Sequence, residues 1–143
     1  MELWNNNLYG INRLFTPKSI PYLEWRYKEN PLQNYRIEAN DNYFITGYVK
    51  EQKNIKELRI SELILVGDHA KKDSKELIKN WAKEYGVHFI SFNDPANLKI
   101  FRKKISGNFG PVLTYKNLGE KNLQKGNLEI EKWAYSLGDL ELY

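Results

Sequence analysis

The residues best suited to bind a ligand lie in a short turn between a long apolar run and a polar helix. They are Leu65, Val66, Gly67, Asp68, His69, Ala70 and Lys71. A turn of this kind presents backbone N–H groups at the start of a helix, where phosphate-bearing ligands often bind. His69 could contact a phosphate or act as a base, although a single histidine in a polar loop is more often only exposed. The turn therefore predicts a site for a phosphate-bearing ligand, with a single glycine to let the backbone approach it.

Glu62 is the carboxylate best placed for proton transfer. It falls in a row of alternate strand residues whose other members are apolar, namely Leu58, Ile60, Ile64 and Val66. A carboxylate half-buried in such a row would have a raised pKa and could remove a proton from an amine. The alternative is a bulge near Ser61 that turns Glu62 to solvent, because the residues on the other face of the strand are apolar too.

Other side chains have both a structural and a functional interpretation. His88 is expected to be a hydrogen-bonded core residue, and Tyr115 and Tyr135 are expected to pack rather than line a cleft. Trp25 and its neighbour Arg26 diverge by about 100° on a helix. We therefore expect Trp25 in the core and Arg26 paired with a buried acid such as Asp139, the functional alternative being that Arg26 holds an anionic ligand.

Capping signals place the helices that position these residues. Ser19 caps and Pro21 opens a short aromatic helix. Asp73 or Ser74 caps a second helix, which Gly86 ends. A third helix is predicted at residues 94–107.

Alternating and continuous apolar runs predict the strands. They cover residues 35–39, 43–50, 55–66, 87–92, 112–116 and 130–137. We expect the first three to be antiparallel, the fourth to lie inside the sheet, and the last two to form a final pair. The predicted fold is α/β (α+β), a mixed, mostly antiparallel sheet flanked by helices. It forms a single domain at residues 19–143, after an irregular segment at residues 1–18.

Composition limits the classes of function. The chain of 143 residues has no cysteine, which excludes disulfides, thiolate metal sites and a cysteine nucleophile. It has two histidines, which excludes a zinc site built on several histidines. Its net charge of +4 is scattered, so a solvated surface or an anionic small ligand fits better than nucleic acid. No apolar run reaches membrane-spanning length and no signal peptide is recognisable, so we expect a cytoplasmic protein without membrane partners.

The order of elements resembles the core of the GNAT N-acetyltransferase superfamily. More narrowly, Trp25-Arg26-Tyr27 followed by Pro31 and Tyr35 is similar to a signature of large bacterial GNAT-like proteins. Those proteins carry two GNAT-like halves and are often encoded with polysaccharide-biosynthesis genes. The ending from Trp133 to Glu141 resembles their usual C-terminus. The resemblance covers roughly residues 19–143 and implies that this chain has the length of a second half.

The resemblance implies acetyl-CoA as cofactor, bound at the turn of residues 65–71, with Glu62 as base for an amine acceptor such as an amino sugar. Two departures qualify it. The phosphate loop of the family has two small residues where this chain has only Gly67 and an acidic Asp68, and Arg102 replaces a tyrosine that protonates the departing thiolate. The alternative is therefore a noncatalytic GNAT-like domain that packs against a catalytic half or a second copy and shapes its acceptor site.

Overall fold

The structure is a computed structural model that describes residues 2, 4–6, 14–93, 100–101, 105 and 132–140. Its elements in chain order are β1 (Leu14–Phe15), α1 (Ile20–Leu23), β2 (Arg36–Ala39), β3 (Tyr43–Gln52), β4 (Ile55–Leu65), α2 (Asp68–Tyr85), β5 (Phe89–Phe92), β6 (Trp133–Ala134) and α3 (Leu137–Leu140). A π-helical turn, Glu24–Lys28, continues α1. The predicted helix 94–107 and the strand 112–116 with Tyr115 lie wholly or mostly outside the described residues. Within those residues, no helix is long and apolar enough to cross a bilayer.

Four strands form the main sheet in the order β2-β3-β4-β5. The first three are antiparallel, as predicted, and β5 is parallel to β4. The turn between β2 and β3 follows its sequence signal, because the Asn40 side chain accepts hydrogen bonds from the backbone of Asn42 and Tyr43. The sheet is therefore mixed and mostly antiparallel. Among the described residues β5 is the last strand in this order, and its predicted position inside the sheet stays a prediction, because the predicted strand 112–116 lies outside those residues.

A β-bulge at Ser61 divides β4 into two parts. Thr46 of β3 pairs with Glu62, but the next residue, Gly47, pairs with Ile60, so Ser61 is the extra residue. A side chain at position 47 would meet the backbone, because a Cβ built there lies 2.5 Å from the Arg59 carbonyl oxygen. Glycine is therefore the residue that fits opposite the bulge.

The bulge changes which residues of β4 share a face. Leu58 and Ile60 pack in the core beneath α2, and after the bulge Leu63 and Leu65 join the same core. Ile64 belongs to the core on the opposite face, with Leu23, Tyr27, Trp4 and Ala134. The predicted single row of alternate residues is therefore wrong, because one inserted residue reverses the alternation.

The N-cap of helix α2 lies six or seven residues earlier than predicted. Asp73 and Ser74 lie inside the helix rather than at its cap, which is Gly67. Gly67 has φ +81°, a conformation open to glycine, and lets the chain turn from β4 directly into the helix. Ala70, Ser74, Ile78 and Trp81 are the buried positions on one side of α2, and the left-handed Gly86 ends the helix as predicted.

The first helical segment packs through a different face from the predicted one. Ser19 caps α1 by accepting a hydrogen bond from the Tyr22 backbone, as predicted. However, Leu23 and Tyr27 are the core residues, four positions apart along the segment. Trp25 lies on the outer side, is 61% exposed and rests near the Tyr22 ring. The prediction of Trp25 in the core is therefore wrong.

Two distant parts of the chain meet in a second, two-stranded sheet. Strand β1 pairs in parallel with β6, with Leu14 opposite Trp133 and Phe15 opposite Ala134. The predicted strand 130–137 thus appears in the described residues as a two-residue strand followed by the helical turn α3. Lys18, just after β1, and Trp4 are buried. The segments that precede and follow the main sheet in the sequence therefore meet on the face of the sheet opposite α2.

Candidate functional site

Glu62 lies at the centre of a buried polar cluster that we define as Lys18, Tyr27, Glu62, Ser136 and Asp139. Only 2% of the Glu62 surface is exposed. Its Oε1 accepts hydrogen bonds from Lys18 Nζ at 2.8 Å, from the Tyr27 hydroxyl at 2.7 Å and from Ser136 Oγ at 2.7 Å. Both sequence alternatives were therefore partly right. The strand does bulge at Ser61, yet Glu62 turns into the protein and not to solvent.

Lys18 joins the two acids of the cluster. Its ammonium donates to Asp139 Oδ1 at 2.6 Å as well as to Glu62, and it lies 5.2 Å from the centre of the Tyr22 ring. Two carboxyl groups thus share one cation in a buried setting. Such an arrangement is stable only when the partners compensate one another fully, because an unpaired charge there is costly.

Glu62 and Lys18 both have shifted pKa values. Burial raises the pKa of the Glu62 carboxyl, and the nearby Asp139 raises it further, although Lys18 and Ser136 act in the opposite direction. Burial alone would lower the pKa of Lys18, but its two acidic partners outweigh burial and the pKa is raised. Glu62 therefore retains a proton to higher pH than an ordinary glutamate does, while Lys18 stays an ammonium.

Helix α3 presents Ser136 and Asp139 to the cluster by means of a local motif. The Asp139 backbone donates to Ser136 Oγ at 3.1 Å, and the Ser136 backbone donates to Asp139 Oδ2 at 2.9 Å. This reciprocal pair is a capping box, and its Ser-x-x-Asp spacing was a readable signal in the sequence. Gly138 between them has no room for a side chain, because a Cβ there would overlap the Tyr27 hydroxyl and lie 3.1 Å from Glu62 Oε1.

Arg26 reaches the same segment from the helical side. Its Nη2 donates to the Gly138 carbonyl oxygen at 2.6 Å. The predicted partner, Asp139, is instead bound by Lys18. The sequence therefore identified the correct segment for Arg26 but not the atom, since a carbonyl group carries no sequence signal.

The predicted ligand-binding turn stands at the carboxyl end of β4, and its residues divide between core and surface. Leu65 and Ala70 are buried, and Val66 donates its backbone N–H to the Asn42 carbonyl at 2.7 Å. Gly67 and His69 are exposed, and Lys71 is half-buried. Gly67 and Asp68 form the junction at which α2 begins, so the exposed part of the turn stands at the amino end of an 18-residue helix.

The structure does not bring this turn and the Glu62 carboxyl together. Gly67 follows Glu62 by five positions of extended chain, a span of roughly 16 Å. Glu62 also faces the core opposite α2, whereas the turn leads into α2 itself. A ligand that used both would have to run along the end of β4.

The strands β4 and β5 separate in the region between these two places. Their last pair is Ile60 with Phe92, immediately before the bulge at Ser61. Strand β4 continues to Leu65, whereas β5 ends at Phe92. We call the place beside residues 61–65, where β4 continues past the last residue of β5, the gap; it begins beside Glu62 and leads toward the turn.

Two further sequence expectations concern His88 and Tyr135. His88 is exposed, and its Nδ1 accepts a hydrogen bond from the Lys56 backbone at 3.0 Å, so the prediction of a core histidine is wrong although the hydrogen bond is present. Tyr135 is half-buried, and its carbonyl oxygen accepts from Asn93 Nδ2 at 2.5 Å. His88 directly precedes β5.

A surface cavity of about 310 Å³ is lined by residues of β2, β3, the start of β4 and the end of α2. Arg36 and Lys56 line it, but the Arg36 guanidinium is already bound to Glu84 at 2.7 Å and stacked 4.8 Å from the centre of the Trp81 ring. Since the charge of Arg36 is used within the protein, this cavity is a weaker candidate than the gap between β4 and β5.

Sequence reasoning missed Lys18 and Tyr27 as members of the cluster. Nothing in their local sequence distinguishes them from other lysines and tyrosines, since their partners lie 44 and 35 residues away. Thr46, opposite Glu62 on β3, is also buried, and its hydroxyl has no hydrogen-bond partner among the described residues. Within the same residues no group of three or more metal-ligating side chains occurs.

No protein-family model, curated protein or solved structure matches this chain.

Proposed function

We propose that this chain is a GNAT-like domain that binds acetyl-CoA and belongs to an acyltransferase acting on an amine such as an amino sugar. The observation that carries the proposal is that β4 continues to Leu65 past the end of its parallel pairing with β5 at Ile60, with α2 starting at the end of β4. Open α/β units bind ligands at the carboxyl ends of such strands, where a helix begins.

The gap suits the two chemically different parts of acyl-CoA. The exposed helix start at Gly67 and His69 offers backbone N–H groups and a partial positive charge for the pyrophosphate. The edge of β4 beyond Ile60 has no β5 partner among the described residues. An extended amide-containing chain such as pantetheine can add to a strand edge in the same way as a peptide does.

The reaction itself requires an amine nitrogen to form a bond with the thioester carbonyl carbon while the carbon–sulfur bond breaks. The amine must lose one proton and the thiolate must gain one. Glu62 is the carboxyl group beside the gap, and burial raises its pKa above the ordinary value, which is the direction that a general base for an amine needs. It is sealed beneath Tyr27 and Ser136 in this structure, so a role as base requires those contacts to open.

Titration with acetyl-CoA tests the proposal. Isothermal calorimetry should give saturable binding to this chain, and free adenosine diphosphate should bind more weakly because it lacks the pantetheine arm. A ligand present at 100 times its dissociation constant stabilises the folded state by about 2.7 kcal/mol, which a thermal-shift measurement detects. Absence of saturable binding at millimolar acetyl-CoA would refute the proposal for this chain.

A matched pair of variants locates the site. His69→Glu places a negative charge at the exposed helix start, which favours the helix but repels a pyrophosphate. Asn80→Glu makes the same change of charge at an exposed position on the same helix, roughly 16 Å along its axis. We expect His69→Glu to weaken acetyl-CoA binding at least tenfold without loss of stability, and Asn80→Glu to leave it unchanged because charges at this distance are screened. Equal effects would show that the pyrophosphate does not bind at the turn.

The sealed state of Glu62 favours a second candidate, a noncatalytic GNAT-like half that packs against a catalytic half. In that case Glu62 and Lys18 serve only to hold the surrounding segments together. The two candidates differ in the titration, because a purely structural half gives no saturable acetyl-CoA binding by the wild-type chain or by variants that open the cluster.

A further inference from the structure

Residues 133–140 bridge the two strands at the mouth of the gap. Tyr135 accepts a hydrogen bond from Asn93, which directly follows β5, and Ser136 donates to Glu62, which lies two residues beyond the last β4–β5 pair. Tyr135 and Ser136 are consecutive, so their Cα atoms are only about 3.8 Å apart. The segment therefore spans the separation between β5 and β4 where that separation begins.

Several independent contacts hold this segment in place. Lys18 binds Asp139, Arg26 binds the Gly138 carbonyl, and β6 pairs with β1. Gly138 packs directly against the Tyr27 hydroxyl. Most of these contacts converge on the buried cluster, so the loss of one leaves a charged or polar group of another unsatisfied. A network of this kind tends to be either closed or open, with little stability in between.

We propose that residues 133–140 are a clasp that closes the gap between β4 and β5, and that the clasp must move away for acyl-CoA to enter and for Ser136 to release the Glu62 carboxyl. This inference rests on the proposed function of the domain. It adds that the closed structure is self-inhibited, and that the same side chains that stabilise the closed state set the affinity for the cofactor.

The stability of the closed clasp and the affinity for the ligand are quantitatively linked. When only a fraction of molecules is open, the apparent dissociation constant equals the intrinsic constant divided by that fraction. A variant that raises the open fraction from about 1% toward unity therefore tightens binding by up to about 100-fold. A clasp that does not cover the ligand site would show no such link.

Gly138→Ala is the most direct way to open the clasp. The new Cβ would overlap the Tyr27 hydroxyl, so the segment cannot dock as it does in the wild type. Adding Tyr27→Phe removes that hydroxyl and should restore docking in part. Gly86→Ala is the control for a glycine substitution, since a Cβ there meets nothing within 4 Å and the residue lies at the far end of α2. Asp139→Asn is a milder opening variant, because it weakens the Lys18 contact and keeps the side-chain shape.

Two measurements on each full-length variant decide the question, namely hydrogen exchange of residues 132–140 and calorimetric binding of acetyl-CoA. We expect Gly138→Ala and Asp139→Asn to exchange faster in this segment and to bind at least tenfold more tightly than the wild type. The double variant should return toward the wild type in both measurements, and Gly86→Ala should change neither.

The contrary outcomes are distinct. Faster exchange with an unchanged dissociation constant, in a wild type that binds, would overturn the clasp and leave the proposed function standing. Wild-type exchange protection in both opening variants would overturn the clasp as well. Faster exchange with no acetyl-CoA binding by any variant would overturn the proposed function and the gating role together.

Discussion

Replacing Lys18 with methionine removes the cation that two buried carboxyl groups share. The Lys18 and Glu62 side chains are 5% and 2% exposed, and the nitrogen lies 2.8 Å from Glu62 and 2.6 Å from Asp139. Methionine fills a similar volume, so the main effect is the loss of charge compensation rather than a cavity. Removing one partner of a buried ion pair costs about 3–5 kcal/mol, because the remaining charge has no compensation.

For a chain of this length the entropy of unfolding is roughly 0.3 kcal/mol per degree, so this loss lowers the melting temperature by about 10–16 °C. Urea unfolding at pH 7 followed by circular dichroism gives the free energy directly. Lys28→Met is the matched control. Its ion pair with Glu24 is long, at 3.8 Å, and both side chains are mostly exposed, so its loss should cost no more than about 0.5 kcal/mol.

A second variant separates charge compensation from simple packing. Lys18→Met should cost less in a Glu62→Gln background, because only the Asp139 carboxylate then loses its partner. We expect a coupling energy above about 1 kcal/mol between the two positions. The reasoning is refuted if Lys18→Met and Lys28→Met have equal effects, or if the costs of Lys18→Met and Glu62→Gln are additive.

Two further predictions concern the pH dependence of the cluster and the bulge. Since the folded-state pKa of Glu62 is raised above its ordinary value of 4.5, its contribution to stability is present below that value and is lost as the pH rises through the folded-state pKa. The stability of the wild type minus that of Glu62→Gln should therefore fall from pH 4 to pH 8 in urea titrations, and a difference that grows with pH would contradict this. Gly47→Ala should destabilise the protein by more than about 2 kcal/mol, because its Cβ would lie 2.5 Å from the Arg59 carbonyl oxygen. Gly86→Ala, with φ +59° but open space around it, should cost only about 1 kcal/mol in the same assay.

Local sequence signals were sufficient to predict some of the turns and helix ends. The asparagine-rich turn before Tyr43, the cap at Ser19 and the end of α2 at Gly86 were predicted correctly, since each depends on contacts within a few residues. The start of α2 was missed, because the capping signal at Asp73 and Ser74 competed with an uncapped start at Gly67. Burial of Ala70 and Ser74, which lie on the inner side of α2, outweighed this local preference.

The sequence by itself determined that Glu62 stands in the apolar strand β4 and that a helix follows that strand. Only the tertiary structure decided what surrounds the carboxyl group. The bulge at Ser61 assigned Glu62 to the face opposite α2, and the partners that meet it there come from residues 18, 27 and 136. The physical reason is that the pairing of buried charges is settled by which distant segments close over the sheet, and neither hydrophobic periodicity nor capping motifs carry that information.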